Sequence, residues 1–116
     1  MYKVYQIKLS KEEMALINET GDHAAVPKNE LKQKMAFAMG NMETYASEAL
    51  GKGFYTHVAS IEANNIDHVF EIGNIGPEAN IVRLSPMHSI SVGDIIEDKA
   101  GARFVVATLG FVQLGS

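Results

Sequence analysis

The sequence predicts an α+β domain, a small antiparallel or mixed β-sheet packed against one long helix and closed by a C-terminal β-hairpin. Three observations carry this. Residues 87–111 read MHSISVGDIIEDKAGARFVVATLGF, in which a glycine–aspartate turn, a short apolar strand, a polar turn and a long apolar strand succeed one another. Over residues 29–50, Leu31, Met35, Ala38, Met42, Ala46 and Ala49 recur at three- and four-residue steps and make one apolar stripe. Near the start, Tyr5, Ile7 and Leu9 fall on one side of an extended segment and Tyr2 and Val4 on the other, which is strand chemistry. At 116 residues, 47% hydrophobic and 21% charged, the chain 1–116 reads as one globular domain with a single modest core.

After the first strand, Ser10 and Glu13 form an S-x-x-E capping box, each side chain meeting the other residue's free N–H. Leu9 and Met14 have the spacing of a hydrophobic staple, and Gly21 stops the helix. Residues 22–28 read as a loop, because Pro27 disfavours helix at Val26. The long helix follows from Asn29, its cap, to Leu50, with Glu30 at its positive end and Gly51 and Gly53 beyond. Gly40, near the middle, costs about 1 kcal/mol of helix propensity and marks a bend or a close contact. Residues 54–63 form a second strand. Asn64 and Asn65 break it and cap a short helix over 66–72, ended by Gly73. Residues 73–77, GNIGP, are a loop. Residues 81–84 are a short strand, 95–97 another, 98–101 the hairpin connection and 104–114 the last strand. That strand is apolar on both faces, with Gly110 as a bulge or bend.

The net charge of −4 works against non-specific nucleic-acid binding, which needs clustered Lys and Arg. No cysteine is present, which excludes disulfides, thiolate metal sites and cysteine nucleophiles. The N-terminal MYKVYQIKLSKEE has no apolar signal core, and no segment approaches the roughly 20 apolar residues of a membrane span, so a cytoplasmic location is expected.

Candidate chemistry is sparse. His23, His57, His68 and His88 show no H-x-x-x-H or H-E-x-x-H spacing, so no metal is assigned to them. An enzyme or ligand site at His57, His68 and His88 would require the three to converge. His88, Ser89, Ser91 and Asp94 lie side by side, but neighbours on an extended segment point to alternate faces, and there is no G-x-S-x-G elbow. Ser91, Gly93 and Asp94 read instead as a backbone-shaping turn, and Asn74 as a loop residue that ties backbone groups together. Lys28, Lys32 and Lys34, with Lys52, could face a phosphate backbone, but Glu30 sits among them and no aromatic residue is interleaved. Phe37 and Met39 fall off the helical stripe that contains Met42. This widens the apolar face, and methionine suits adaptable contacts. Phe37, Met39 and Met42 are therefore the candidate interface.

Three segments in order, NIDHVFEIGN at 65–74, MHSISVGDII at 87–96 and FVVATLGF at 104–111, resemble small proteins of bacteriophages and mobile elements, the YodL-like group. The matching positions are Ile66, Val69 and Phe70 with Asn74, then Ser89 to Ile95, then Gly110 and Phe111. Isoleucine stands where the helix of that pattern starts with leucine, and extra residues surround Gly76 and Pro77. The resemblance implies a phage or plasmid accessory role, including interference with a host protein; it brings no established activity and carries over no catalytic residue, and no cofactor is expected. Together with the residues above, it leads to an expected non-enzymatic protein that binds another protein or itself as a homodimer, in the cytoplasm or a host cytoplasm. Nucleic-acid binding through Lys28, Lys32 and Lys34 is the alternative. A small enzyme or metal site at His57, His68 and His88 is the third reading.

Overall fold

The computed structural model describes residues 1–38 and 40–115. The element order is β1 (Tyr2–Ile7), α1 (Lys11–Thr20), a 3-10 turn (His23–Ala25), α2 (Pro27–Ala36), α3 (Met42–Gly51), β2 (Tyr55–Ile61), α4 (Ile66–Ile75), a second 3-10 turn (Glu78–Asn80), β3 (Ile81–Arg83), β4 (Ile95–Glu97), β5 (Arg103–Val106) and β6 (Phe111–Gln113). The six strands form one sheet in the order β3-β2-β1-β4-β5-β6. Every neighbouring pair is antiparallel. The N-terminal strand β1 is thus interior to the sheet, paired with β2 on one side and β4 on the other.

Strand alternation divides the core in two. On one face Val4, Val58, Ile61, Ile96 and Val106 meet Val69 and Ile72 of α4, with Ile90 from the 85–93 segment. On the other, Ile7, Ile95 and Val105 meet Leu31 and Met35 of α2 and Met42, Ala46 and Ala49 of α3. The neighbours Ile95 and Ile96 are both fully buried, one in each half, so this strand has no solvent face. Each such isoleucine is worth about 1.5–3 kcal/mol relative to leaving it exposed.

The single long helix expected over 29–50 is instead two helices. Pro27 occupies the first turn of α2, where its missing N–H costs nothing, and Val26 before it is extended, with φ −114°. The chain leaves the helix at Phe37, and Asn41 adopts left-handed φ 62° before α3 begins. Asparagine tolerates that conformation better than other residues with a Cβ. A continuous apolar stripe therefore serves two helices that turn a corner together. Asn29 is not a cap. It is buried inside α2, where its Nδ2 donates to the His23 carbonyl at 3.0 Å and ties the preceding turn to the helix.

The last strand also divides. Residues 107–110 reverse the chain, with Ala107 N–H donating to the Gly110 carbonyl at 3.0 Å and Gly110 at φ 75°. The result is β5 and β6 side by side, so the C-terminal hairpin is part of a three-stranded meander, β4-β5-β6. Two-sided apolarity arises because β5 is covered by helices on both faces. The stretch 73–75, expected as loop, is the last turn of α4, which ends at Gly76. Gly73 is helical and sits where the helix meets Ile90 and Ile61, so closely that an added Cβ would overlap the Ile90 side chain.

The cap expected on the first helix has its full geometry. Glu13 N–H donates to Ser10 Oγ at 3.1 Å, and Ser10 N–H donates to Glu13 Oε1 at 2.8 Å. Asn65 caps α4 through its side chain alone, its Oδ1 accepting from His68 N–H at 2.9 Å. No described helix is long and apolar enough to cross a membrane.

Candidate functional site

Two features stand out from this scaffold, an apolar groove on its surface and a polar bridge inside it. The groove runs between the α2–α3 corner and the β5–β6 turn. Ala38, Asn41 and Met42 on one side and Thr108, Leu109 and Val112 on the other line a cleft of about 600 Å³. Phe37, adjoining Ala38, is 79% exposed, and Leu109 at the tip of the turn is 92% exposed. Both conformations follow from the local backbone. Phe37 stands off the apolar stripe at the C-terminal cap of α2, and Leu109 occupies the turn closed by Gly110. Met42, named with Phe37 as interface, is only 6% exposed and packs in the α2–α3 half of the core, so it belongs to the floor of the groove. Met39 lies outside the described residues. On the opposite side of the same turn, Phe70, Ile90, Val92, Val106, Thr108 and Phe111 line a second cleft of about 500 Å³. Phe70 and Phe111 meet edge-on there, with ring centroids 6.4 Å apart.

Inside, Gln6 and Asp94 are buried at 0% and 4% exposure. Gln6 Nε2 donates to the His88 carbonyl at 2.9 Å and to Asp94 Oδ2 at 3.0 Å, and His88 N–H donates back to Gln6 Oε1 at 3.2 Å. Asp94 Oδ2 also accepts from Ser91 N–H at 2.9 Å, and Asp94 N–H donates to the Ser91 carbonyl at 3.0 Å across Gly93, whose φ is 96°. Burial pushes the Asp94 carboxyl up to about 6. The Ser91 N–H, His88, Gln6 and Lys32 oppose that rise without cancelling it. Tyr55 of β2 donates to the Gly93 carbonyl at 2.6 Å, and burial, aided by Asp94, raises its phenol. From α4, Asn74 accepts from Ile90 N–H at 2.6 Å and donates to the Ile90 carbonyl at 3.2 Å.

The sequence offered no cue to Gln6 beyond its position. It stands on the Tyr2 and Val4 side of β1, an inward place in an alternating strand, where a polar side chain needs a buried partner.

The remaining candidates are dispersed. His57 on β2 lies against the Tyr5 ring with centroids 5.0 Å apart, and its Nε2 is 3.0 Å from the Ala59 carbonyl. His68 on α4 accepts from Asn64 N–H at 3.1 Å, and His88 is engaged with Ser89 and Gln6. Among the described residues the three share no hydrogen-bond partner. Among the described residues no group of three or more His, Cys, Asp or Glu side chains could hold a metal ion. Three of the four lysines are matched by carboxylates: Lys28 with Glu13 at 3.2 Å, Lys34 with Glu30 at 3.1 Å and Lys52 with Glu48 at 3.2 Å. Lys32 lies close enough to Asp94 to favour its charged form. Ser91 meets Asp94 through its backbone, and the residues 88, 89, 91 and 94 do not assemble a nucleophile–base pair.

Together these features define a small α+β domain with a fully antiparallel sheet, helices on both faces and an apolar groove at one corner. Comparison with known proteins finds no matching family model, no matching curated protein and no matching solved structure.

Proposed function

We propose that this chain is a non-enzymatic accessory protein of phage or mobile-element type that works by binding another protein in a host cytoplasm. The α2–α3 corner and the β5–β6 turn are its contact surface. One observation carries the reading: Leu109, 92% exposed, lines a cleft floored by Met42, and Phe37, 79% exposed, immediately precedes Ala38 of the same cleft. Exposed large apolar side chains beside a groove are what a docking partner covers, and the few anchors in such an interface hold most of its energy. The phage or mobile-element origin rests on the resemblance of residues 65–111 to YodL-like proteins. The reading requires neither a metal nor a cofactor.

The test is affinity purification from host lysate with the wild type and with the double variant Phe37→Ser, Leu109→Ser. Both changes are at exposed positions and leave the melting temperature within a degree or two. A partner recovered with the wild type and lost with the variant is the expected result, with a loss of at least about 30-fold in affinity if either residue is an anchor worth about 2 kcal/mol. Equal recovery by both proteins would move the contact elsewhere. A wild type that is monomeric by sedimentation and retains no protein would remove the reading.

A further inference from the structure

The strand beside the proposed contact surface is also an edge of the sheet. β6 comes last in the order β3-β2-β1-β4-β5-β6, so only its β5 side is paired. The direction of its polar groups follows from β5. Gly93 N–H donates to the Val106 carbonyl, and Val106 N–H donates to the Asp94 carbonyl, so Val106 turns toward β4. Arg103 and Ala107 turn the other way. The Arg103 carbonyl accepts from Leu114 N–H at 2.8 Å, and Ala107 N–H donates to the Gly110 carbonyl at 3.0 Å. With Val105 opposite Val112, the alternation of an antiparallel ladder directs the polar groups of Gly110, Val112 and Leu114 at β5. Those of Phe111 and Gln113 point away from the sheet, and among the described residues neither N–H has an acceptor. The next N–H in the same phase, that of Gly115, is met by Glu43 Oε1 at 3.3 Å. Two donors and two acceptors are thus left open, spaced as in a strand.

A bare edge is normally guarded by charge, proline or a bulge. The opposite edge is guarded in this way. β3 lies between Pro77 and Pro86 and carries Arg83, whose Nη2 donates to Glu78 Oε2 at 2.9 Å. β6 has no such device: no charged residue and no proline stands between Phe104 and Gly115, and its register on β5 is regular. Its neighbouring side chains also line different clefts. Phe111 lines the cleft of about 500 Å³ beside α4, and Val112 lines the cleft of about 600 Å³ at the α2–α3 corner. Asp67 borders the first and Glu43 the second. Both carboxylates are exposed, and among the described residues neither is in an ion pair.

We propose, resting on the docking surface above, that the β6 edge is completed by an extended strand of the partner protein. That strand has apolar side chains at consecutive positions and Lys or Arg flanking them. Its main chain runs about 4.8 Å from β6 and bonds the open groups of Phe111 and Gln113. Successive side chains of a strand point to opposite faces. The one opposite Phe111 therefore falls on the α4 side and the one opposite Val112 on the α2–α3 side, and each meets an apolar cleft. The basic flanks answer Asp67 and Glu43, which have no cation of their own. A second copy of β6 is a poorer occupant, because a strand without charged residues brings no cation to those carboxylates.

Two capped heptapeptides test this on the whole chain by NMR titration and amide hydrogen exchange: Lys-Thr-Val-Ile-Val-Thr-Lys, and its twin with glutamate at both ends. The lysine peptide is expected to bind and to slow exchange at Phe111 and Gln113 by about 10-fold near saturation. Val112 and Leu114, already bonded within the sheet, change little. The glutamate twin binds at least about 5-fold more weakly, and the gap closes in high salt. Gln113→Pro removes an outward N–H and no bond to β5, so the protein folds and the lysine peptide is lost by about 10-fold or more. If that variant fails to fold, the wild-type pattern decides. Protection confined to Phe111 and Gln113 supports the strand. Protection spread evenly along β6, protection at Ile81 and Arg83 instead, or no saturable shift up to about 1 mM peptide overturns it. In the lysate experiment above, a protein lost by Phe37→Ser, Leu109→Ser but kept by Gln113→Pro leaves the docking surface standing and overturns the strand. A wild-type dimer that Gln113→Pro dissociates makes the occupant a second copy, which also overturns it.

Discussion

Gly73→Ala reads directly how closely α4 approaches the loop beneath it. In an exposed helix this change stabilises by about 1 kcal/mol, because alanine loses less backbone entropy than glycine. Here the new Cβ would lie 2.9 Å from Cγ1 of Ile90 and closer still to Cδ1, with Cδ1 of Ile61 at 3.6 Å. Ile90 is 2% exposed and Ile61 0%, and Ile90 is β-branched, so its Cγ1 cannot swing away freely. Overpacking of this kind costs about 1–3 kcal/mol. Set against the propensity gain, the net effect is a destabilisation of about 0–2 kcal/mol. In an Ile90→Ala background both clashing atoms are gone, and the same substitution returns the propensity gain of about 1 kcal/mol. The substitution therefore turns stabilising, and the coupling between the sites comes to about 1–3 kcal/mol, the overpacking cost itself. Urea unfolding of the four proteins in the cycle measures this. A Gly73→Ala protein more stable than wild type, or additivity between the two changes, would refute the reasoning that steric approach is why a glycine occupies the helix.

Two further outcomes test the local structure. Asn74→Ala removes the side chain that satisfies both polar groups of Ile90 and costs about 1–3 kcal/mol in urea unfolding; Asn74→Asp, which keeps only the acceptor, should fall between it and wild type. Ser10→Ala breaks the capping box and costs about 1 kcal/mol, with amide exchange accelerated in the first turn of α1 and not in α4.

What the sequence disclosed about this fold was mostly short-range. The Ser10–Glu13 box, the Asn65 cap and the β4 strand are each decided within a few residues, and each stands where the local pattern put it. The helix over 29–50 failed because a stripe at helical spacing does not reveal whether the axis is continuous. Gly40 signalled a weak point, but the left-handed Asn41 and the packing of two separate helices on one face of the sheet are tertiary outcomes. The final strand failed similarly. Apolar residues on both faces suited one long interior strand as well as a short one followed by a turn, and Gly110 proved to be the turn itself. Gly73 looked like a stop, whereas its lack of a side chain lets Ile90 approach. Of the candidate site, Phe37 was legible as a residue off the stripe. Leu109 was not, because it was assigned to a strand interior. The Gln6–Asp94 bridge spans 88 positions, and no local pattern could have joined its two ends.

The position of β1 bears on how the molecule comes into being. This strand is made first on the ribosome, yet its two neighbours are β2, ending at Ile61, and β4, which starts at Ile95. Until β4 emerges, the edge of β1 that pairs with Glu97, Ile96 and Ile95 has no partner. Val4 and Ile7, on opposite faces of that strand, likewise await Ile96 and Ile95. Contacts of such long sequence separation slow folding, and an unpaired apolar strand is where a nascent chain sticks to others. Until residues 95–97 are made, this chain carries one of the two central strands of its sheet with an unpaired edge.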